Sequence, residues 1–112
     1  MPDKFNREAL YALLRSLPKG VVITYGEAAS RLGNPKWARA VGNALHKNPD
    51  GEGTPCYKVV TSKGELSRGY AFGGISEQRR RLAEDDVEVT GIRVDLNKYG
   101  IKAKSAAKIT HK

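Results

Sequence analysis

The stretch "TYGEAASRLGNPK", residues 24–36, leaves the backbone few choices. Thr24 and Glu27 stand three apart, the spacing at which a threonine hydroxyl accepts a backbone N–H and a glutamate reaches back to the cap residue's own N–H. A helix begun there runs to Leu32, where Gly33 closes it. Asn34 and Pro35 open another at once, a capping side chain followed by proline at the first helical position. That second helix carries Trp37, Ala40, Val41, Ala44 and Leu45. It stops before Pro49, since the residue preceding a proline is pushed out of the helical region. Two short helices joined by a tight glycine turn make a helix-turn-helix. Upstream, Phe5, Ala9, Leu10, Leu13, Leu14 and Leu17 recur at helical spacing and predict one amphipathic helix, ended by Pro18 and Gly20.

The remaining segments are shorter, and no internal repeat is present. "VVI" (21–23) is extended, and "NPDGEGTP" (48–55) is a polar loop. "CYKVV", "TSKG" and "ELS" (56–67) read as strand, turn and strand, a small hairpin or wing. "RGYAFGG" (68–74) is a glycine-rich aromatic loop. "SEQRRRLAEDD" (76–86) predicts a charged helix capped by Ser76, with Leu82 and Ala83 inward. "VEVTGIRVDL" (87–96) alternates like a strand, with a bend at Gly91. The expected fold is mainly α with a small β wing. One domain spans 1–101, and 102–112, "KAKSAAKITHK", is a basic tail without apolar periodicity, expected to be disordered.

At 112 residues the chain suits a single domain. It carries 20 Lys+Arg against 12 Asp+Glu, a formal charge of +8. Basic residues spread through structured segments favour a polyanionic partner, nucleic acid before an acidic membrane surface. Exposed positions of the second helix include Lys36, Arg39, Asn43 and Lys47, suited to phosphates or base edges. Gly42 sits mid-helix, where glycine costs about 1 kcal/mol relative to alanine, so a close approach there is expected. A single cysteine cannot form an internal disulfide, and no Cys/His cluster of metal type exists. No metal or cofactor is expected. "MPDKFNREAL" lacks a signal-peptide core, and no apolar run approaches a membrane span. These features predict a soluble protein of the cytoplasm, without membrane association.

Cys56 follows Pro55, which fixes one backbone angle and withholds a donor. Two readings stand: a thiol aimed over a pocket, or a small hydrophobe at the start of a strand. A thiol with a pKa of about 8.5 is only a few per cent thiolate at neutral pH. A nucleophile there needs a base, a cation or a helix N-terminus beside it. On a strand, Lys58 would share the side of Cys56 and assist it, and Tyr57 would face the other way.

"ITYGEAASRLGNPKWARAVGNALHKNP", "TPCYKVV", "GELSRGYAFGG" and "RLAEDDVEV" together resemble the C-terminal domain of the O6-alkylguanine-DNA alkyltransferases and the shorter alkyltransferase-like proteins. The match covers about residues 5 to 96, in order and with the right gaps. The resemblance implies a winged helix-turn-helix DNA-binding domain with its second helix in the minor groove of duplex DNA. It implies a guanine turned out of the stack into a pocket, and an alkyl group passed from O6 to Cys56 irreversibly and without cofactor. The target atom is inaccessible inside a duplex, and a weakly paired lesion lowers the cost of extrusion. By position, Tyr25 matches the tyrosine that crowds the phosphate and helps rotate the nucleotide. Arg39 matches the arginine that fills the vacated space, a role suited to its planar guanidinium. Asn48 matches the asparagine that braces the loop before the cysteine. Lys36, Gly42, Asn43 and Lys47 fall on the DNA side, and His46 on a DNA-facing position. Tyr70, Phe72, Gly73 and Gly74 fall on the loop lining the base pocket. Trp37 is expected to pack.

Two departures bear on the chemistry. The family's usual motif is Pro-Cys-His-Arg-Val, and its histidine passes the cysteine's proton through water to a glutamate. Here Tyr57 holds the histidine position, Lys58 the arginine position and Asp85 that of the glutamate. A tyrosine with a pKa near 10 is a poor relay at neutral pH. Yet Cys56 is retained, whereas the alkyltransferase-like proteins typically have tryptophan or alanine there. Three readings follow. The first is a single-turnover methylated-DNA–protein-cysteine methyltransferase type, a monomer acting on alkylated guanine in double-stranded DNA. The second is a non-enzymatic lesion sensor that hands over to excision-repair proteins. The third is a winged-helix regulator with a structural cysteine.

Overall fold

Burial of apolar side chains from α1 (Arg7–Ser16), α2 (Tyr25–Leu32) and α3 (Ala38–His46) builds the first of two cores. The computed structural model describes residues 4–48, 53–66 and 73–102. Leu10 and Leu14 of α1, Ala28 and Ala29 of α2, and Val41, Ala44 and Leu45 of α3 meet there. A fully buried leucine contributes about 1.5–3 kcal/mol over an exposed one. That packing, rather than any two-residue strand, positions the helices.

The Thr24–Glu27 cap and the Gly33 stop form as the sequence predicts, whereas α3 starts at Ala38 rather than at Pro35 and the Asn6 cap of α1 is an addition. Asn6 caps α1 by accepting from Ala9 N–H at 3.1 Å. The Thr24 hydroxyl accepts from Glu27 N–H at 3.1 Å, and Thr24 N–H donates to Glu27 Oε1 at 3.0 Å. Gly33 ends α2 at φ 128°, where a Cβ would be strained. Asn34 then caps a 3-10 turn, Pro35–Trp37, that leads into α3. Trp37 packs edge-on against Phe5, ring centroids 6.1 Å apart.

The β structure lies elsewhere than the sequence suggests. Cys56–Lys58 is a 3-10 turn, and the strand β2 is only Val59–Val60. It pairs in parallel with β1 (Ile23–Thr24), Ile23 opposite Val59 and Thr24 opposite Val60. The expected hairpin of 56–67 is not formed among the described residues. Thr61 turns the chain instead, its hydroxyl accepting from Lys63 and Glu65 N–H at 3.3 and 3.0 Å. Glu65 then bridges to Arg93. The antiparallel hairpin is β3 (Val89–Thr90) with β4 (Arg93–Val94), turning at Gly91 as expected.

The second core joins Val22, Val60, Leu66, Leu82, Val87, Val94 and Tyr99. It holds α4 (Gly74–Glu84) and α5 (Leu96–Tyr99). α4 begins two residues before Ser76 and is capped by Gly73, so the expected Ser76 cap is corrected. Gly73 has φ 126°, and an added Cβ would sit 2.7 Å from Glu77 Cβ. α5 was not expected; Asp95 caps it through Asn97 N–H at 2.9 Å. Tyr99 and Ile101 bond to Val22 on either side, closing the end of the fold onto its centre. Lys102 is described, and the rest of the predicted tail lies outside the described residues. Among the described residues, no helix is long and apolar enough to cross a membrane.

Candidate nucleic-acid interface and thiol site

Arg39, Asn43 and His46 recur at i, i+4 and i+7 on α3, and all three are exposed. Lys36 precedes them on the 3-10 turn and Lys47 caps the end, also exposed. The opposite face of α3 is buried through Val41, Ala44 and Leu45. The helix therefore presents a polar, cationic stripe outward and is held rigidly from behind. Gly42 lies beside that stripe, half-buried. A Cβ there would meet Tyr25 Cε1 at 3.9 Å, an ordinary contact. Outside its own helix, nothing else in the described chain lies within 4 Å of that position, so the close approach expected from the sequence is not made by a neighbouring backbone. Tyr25, at the first position of α2, stands across that gap.

Cys56 lies at the start of its 3-10 turn with only 4% of its surface exposed. Asn48, 5% exposed, follows the C-cap of α3 and donates from Nδ2 to Thr54 O at 3.3 Å and to Cys56 Sγ at 3.6 Å. Cys56 N–H also returns to Thr54 O at 2.8 Å. Thr54 is itself buried and held by Arg15 Nη1 at 2.8 Å. The end of the exposed helix is thus tied directly to the thiol through Asn48. Burial pushes the Cys56 thiol above its ordinary pKa, against smaller downward pulls from the Asn48 amide, its own backbone and the Arg81 charge.

Lys58 does not assist Cys56. A 3-10 turn rotates about 120° per residue, so Cys56 and Lys58 do not share a side as they would on a strand. Lys58 is 3% exposed and donates to Pro18 O at 2.7 Å. It pairs with Asp85 Oδ2 at 3.0 Å. The same oxygen accepts from Gly20 N–H at 3.0 Å. The carboxylate at the relay position is therefore engaged by Lys58. Tyr57 and Asp85 are brought together with Arg80, Arg81 and Glu84 around a cavity of about 200 Å³. Burial, followed by the Asp85 charge, raises the Tyr57 pKa above that of an ordinary phenol. Tyr57 packs against both cores, at the seam between them.

Gln78 was not among the expected site residues. It is fully buried on α4 and donates from Nε2 to Tyr57 O at 3.0 Å and Val59 O at 3.1 Å. It fixes the backbone that carries Tyr57. Gln78→Met should destabilise the fold by about 2 kcal/mol, because two buried carbonyls lose a donor. Urea unfolding followed by circular dichroism checks it. Of the expected pocket residues, Gly73 and Gly74 form the start of α4. Tyr70 and Phe72 lie outside the described residues.

The family model for the DNA-binding domain of 6-O-methylguanine DNA methyltransferase matches residues 5–87. A bifunctional methyltransferase/endonuclease of Picrophilus torridus is 49% identical over 90 residues, covering 80% of this chain and 30% of that protein. The chain thus spans less than a third of that relative's length. A DNA base-flipping protein of Vibrio parahaemolyticus is 37% identical over 91 residues, covering 80% of this chain and 89% of the other. The crystal structure of S. pombe Atl1 in complex with damaged DNA containing O6-carboxymethylguanine superposes with a TM-score of 0.76 at 30% identity. That likeness covers 84% of this chain and 92% of Atl1.

Proposed function

Because the chain belongs to the family of the 6-O-methylguanine DNA methyltransferase DNA-binding domain, we propose that it binds duplex DNA through α3, turns an O6-alkylated guanine out of the stack and accepts the alkyl group on Cys56. One observation carries this reading: Asn48 joins the end of the exposed α3 stripe to Cys56 Sγ. A base extruded at that stripe would meet the thiol behind it. Arg39 would fill the space left in the duplex, and Tyr25, beside Gly42, would press on the rotated nucleotide. In the transfer, the sulfur lone pair forms an S–C bond to the alkyl carbon. The O6–C bond breaks and its electron pair stays on guanine. The thiol proton ends on guanine N1, leaving a thioether and an ordinary guanine. The thioether cannot revert, so each molecule acts once. On this reading the protein works as a monomer on chromosomal DNA in the cytoplasm.

A second reading is favoured by the Asp85 carboxylate, which Lys58 and Gly20 engage. With no free relay, transfer slows, and recognition of the lesion followed by handover to excision-repair proteins becomes the main activity. Intact-protein mass spectrometry separates the two. After incubation with a duplex containing O6-methylguanine, the wild type should gain one methyl group and Cys56→Ala none. Preferential binding of the lesion duplex without a mass gain would establish the sensor instead. Binding without lesion preference or mass gain would sink both.

A further inference from the structure

We infer that a cleft between α1 and the end of α3 seats a backbone phosphate of the bound duplex, making Arg7 a DNA-contacting residue. The inference rests on the duplex-binding reading above and extends it to a helix outside the helix-turn-helix.

Arg7, Tyr11 and Arg15 recur every four residues along one face of α1 and line a cavity of about 250 Å³. Lys47 and Asn48 close it from the end of α3, and Thr54 from the segment before Cys56. At about 30 Å³ per water-sized group, a phosphate of five heavy atoms fits. Three cations face one carboxylate, Glu8, so the cleft is net positive. Its walls are fixed by tertiary bonds. Tyr11 Oη donates to Ala44 O at 2.8 Å, locking α1 to α3, and Arg15 Nη1 donates to Thr54 Oγ1 at 2.8 Å. Arg7 is exposed at the mouth.

The cleft is continuous with the DNA face, because Lys47 belongs to both. A strand lying along the Arg39–Asn43–His46 stripe continues past Lys47 onto α1. Guanidinium groups suit a phosphate there, since their N–H donors match its oxygens. The asparagine at the back of the cleft is the one that holds Cys56 Sγ. A phosphate seated here fixes the duplex within one residue of the thiol's own support, so this contact sets register rather than reading sequence.

The test is the salt dependence of duplex affinity for the full chain. Each phosphate contact contributes a slope of about −0.9 in log affinity against log salt. Arg7→Gln should make the slope shallower by about 0.9 and leave the ratio of lesion to undamaged affinity unchanged. Lys98→Gln, an exposed cation of α5 on the second core, should leave the slope as in wild type. If the wild type binds duplex and Arg7→Gln keeps its slope, the cleft is not a phosphate seat and the duplex-binding reading stands. An equal change in Lys98→Gln would reduce the effect to the overall +8 field and overturn the inference. A wild type that does not bind duplex at all sinks the parent reading and this one together. Thermal melts of both variants should match wild type, since neither side chain is buried.

Discussion

Methyl transfer from an O6-methylguanine duplex to Cys56 should accelerate about tenfold per pH unit from about 6 to 8, without a plateau. The thiolate is the nucleophile, and below a thiol's pKa its fraction rises tenfold per unit. Burial is the largest influence on Cys56 and raises its pKa. The Asn48 amide and the Arg81 charge pull the other way and do not overturn it. The ordinary thiol value is about 8.5, so a raised one keeps the profile climbing through the neutral range. A thiol served by an imidazole would instead level off near neutrality. General-base help of that kind typically contributes about 10²–10⁴-fold. Single-turnover rates measured by mass spectrometry across the pH series check the slope. Iodoacetamide labelling of the free protein should follow the same line, which tests the thiol apart from DNA. A flat profile with the duplex, beside a steep one with iodoacetamide, would mean that DNA binding itself brings a base to Cys56. Tyr57 would then be the side chain to examine first.

The parts of this fold legible in the sequence are those whose partners lie within a few residues. Thr24 and Glu27 exchange bonds across three positions, and Asn34 caps across two. Gly33 and Gly91 mark turns that need only their own backbone freedom. The helix-turn-helix was therefore readable residue by residue. The thiol turn was not. Two β-branched residues, Val59 and Val60, suggested a strand reaching back to Cys56, but Pro55 and the Gln78 bonds hold 56–58 as a 3-10 turn. Gln78 stands among charged residues of α4 and looks like a surface position. Its acceptors lie about twenty residues away in the chain, and nothing local announces them. Ser76 resembled a helix cap, but the paired glycines before it start the helix earlier. Asn48 was singled out by the resemblance alone, because its contacts, with Thr54 O and with Cys56 Sγ at 3.6 Å, lie across a loop and have no local signature.

Lys58→Met should destabilise the protein by about 3–5 kcal/mol, a large share of the 5–15 kcal/mol typical of a domain. The lysine and Asp85 side chains are only 4% and 12% exposed, so their 3.0 Å contact is shielded from water. A surface pair would contribute at most about 1 kcal/mol. Removing one member of a buried pair leaves the other charge without compensation. Here Pro18 O also loses the lysine's bond and keeps only the longer one from Val21 N–H, at 3.3 Å. Gly20 N–H still reaches Asp85, which softens the effect and favours the lower end of the range. The double variant Lys58→Met/Asp85→Leu should recover most of the loss, since replacing a whole buried pair by apolar groups is often neutral. Gly20 would then lack an acceptor, leaving a deficit of about 1 kcal/mol. Urea unfolding of the two single variants and the double gives the coupling directly. A cost below 1 kcal/mol for Lys58→Met would show that water reaches the pair. The lysine joins the α1–β1 connection at Pro18 and the end of α4 at Asp85 to the turn that carries Cys56. Its loss should also loosen the thiol: Cys56 labelling by iodoacetamide should become faster in Lys58→Met and return toward wild type in the double variant.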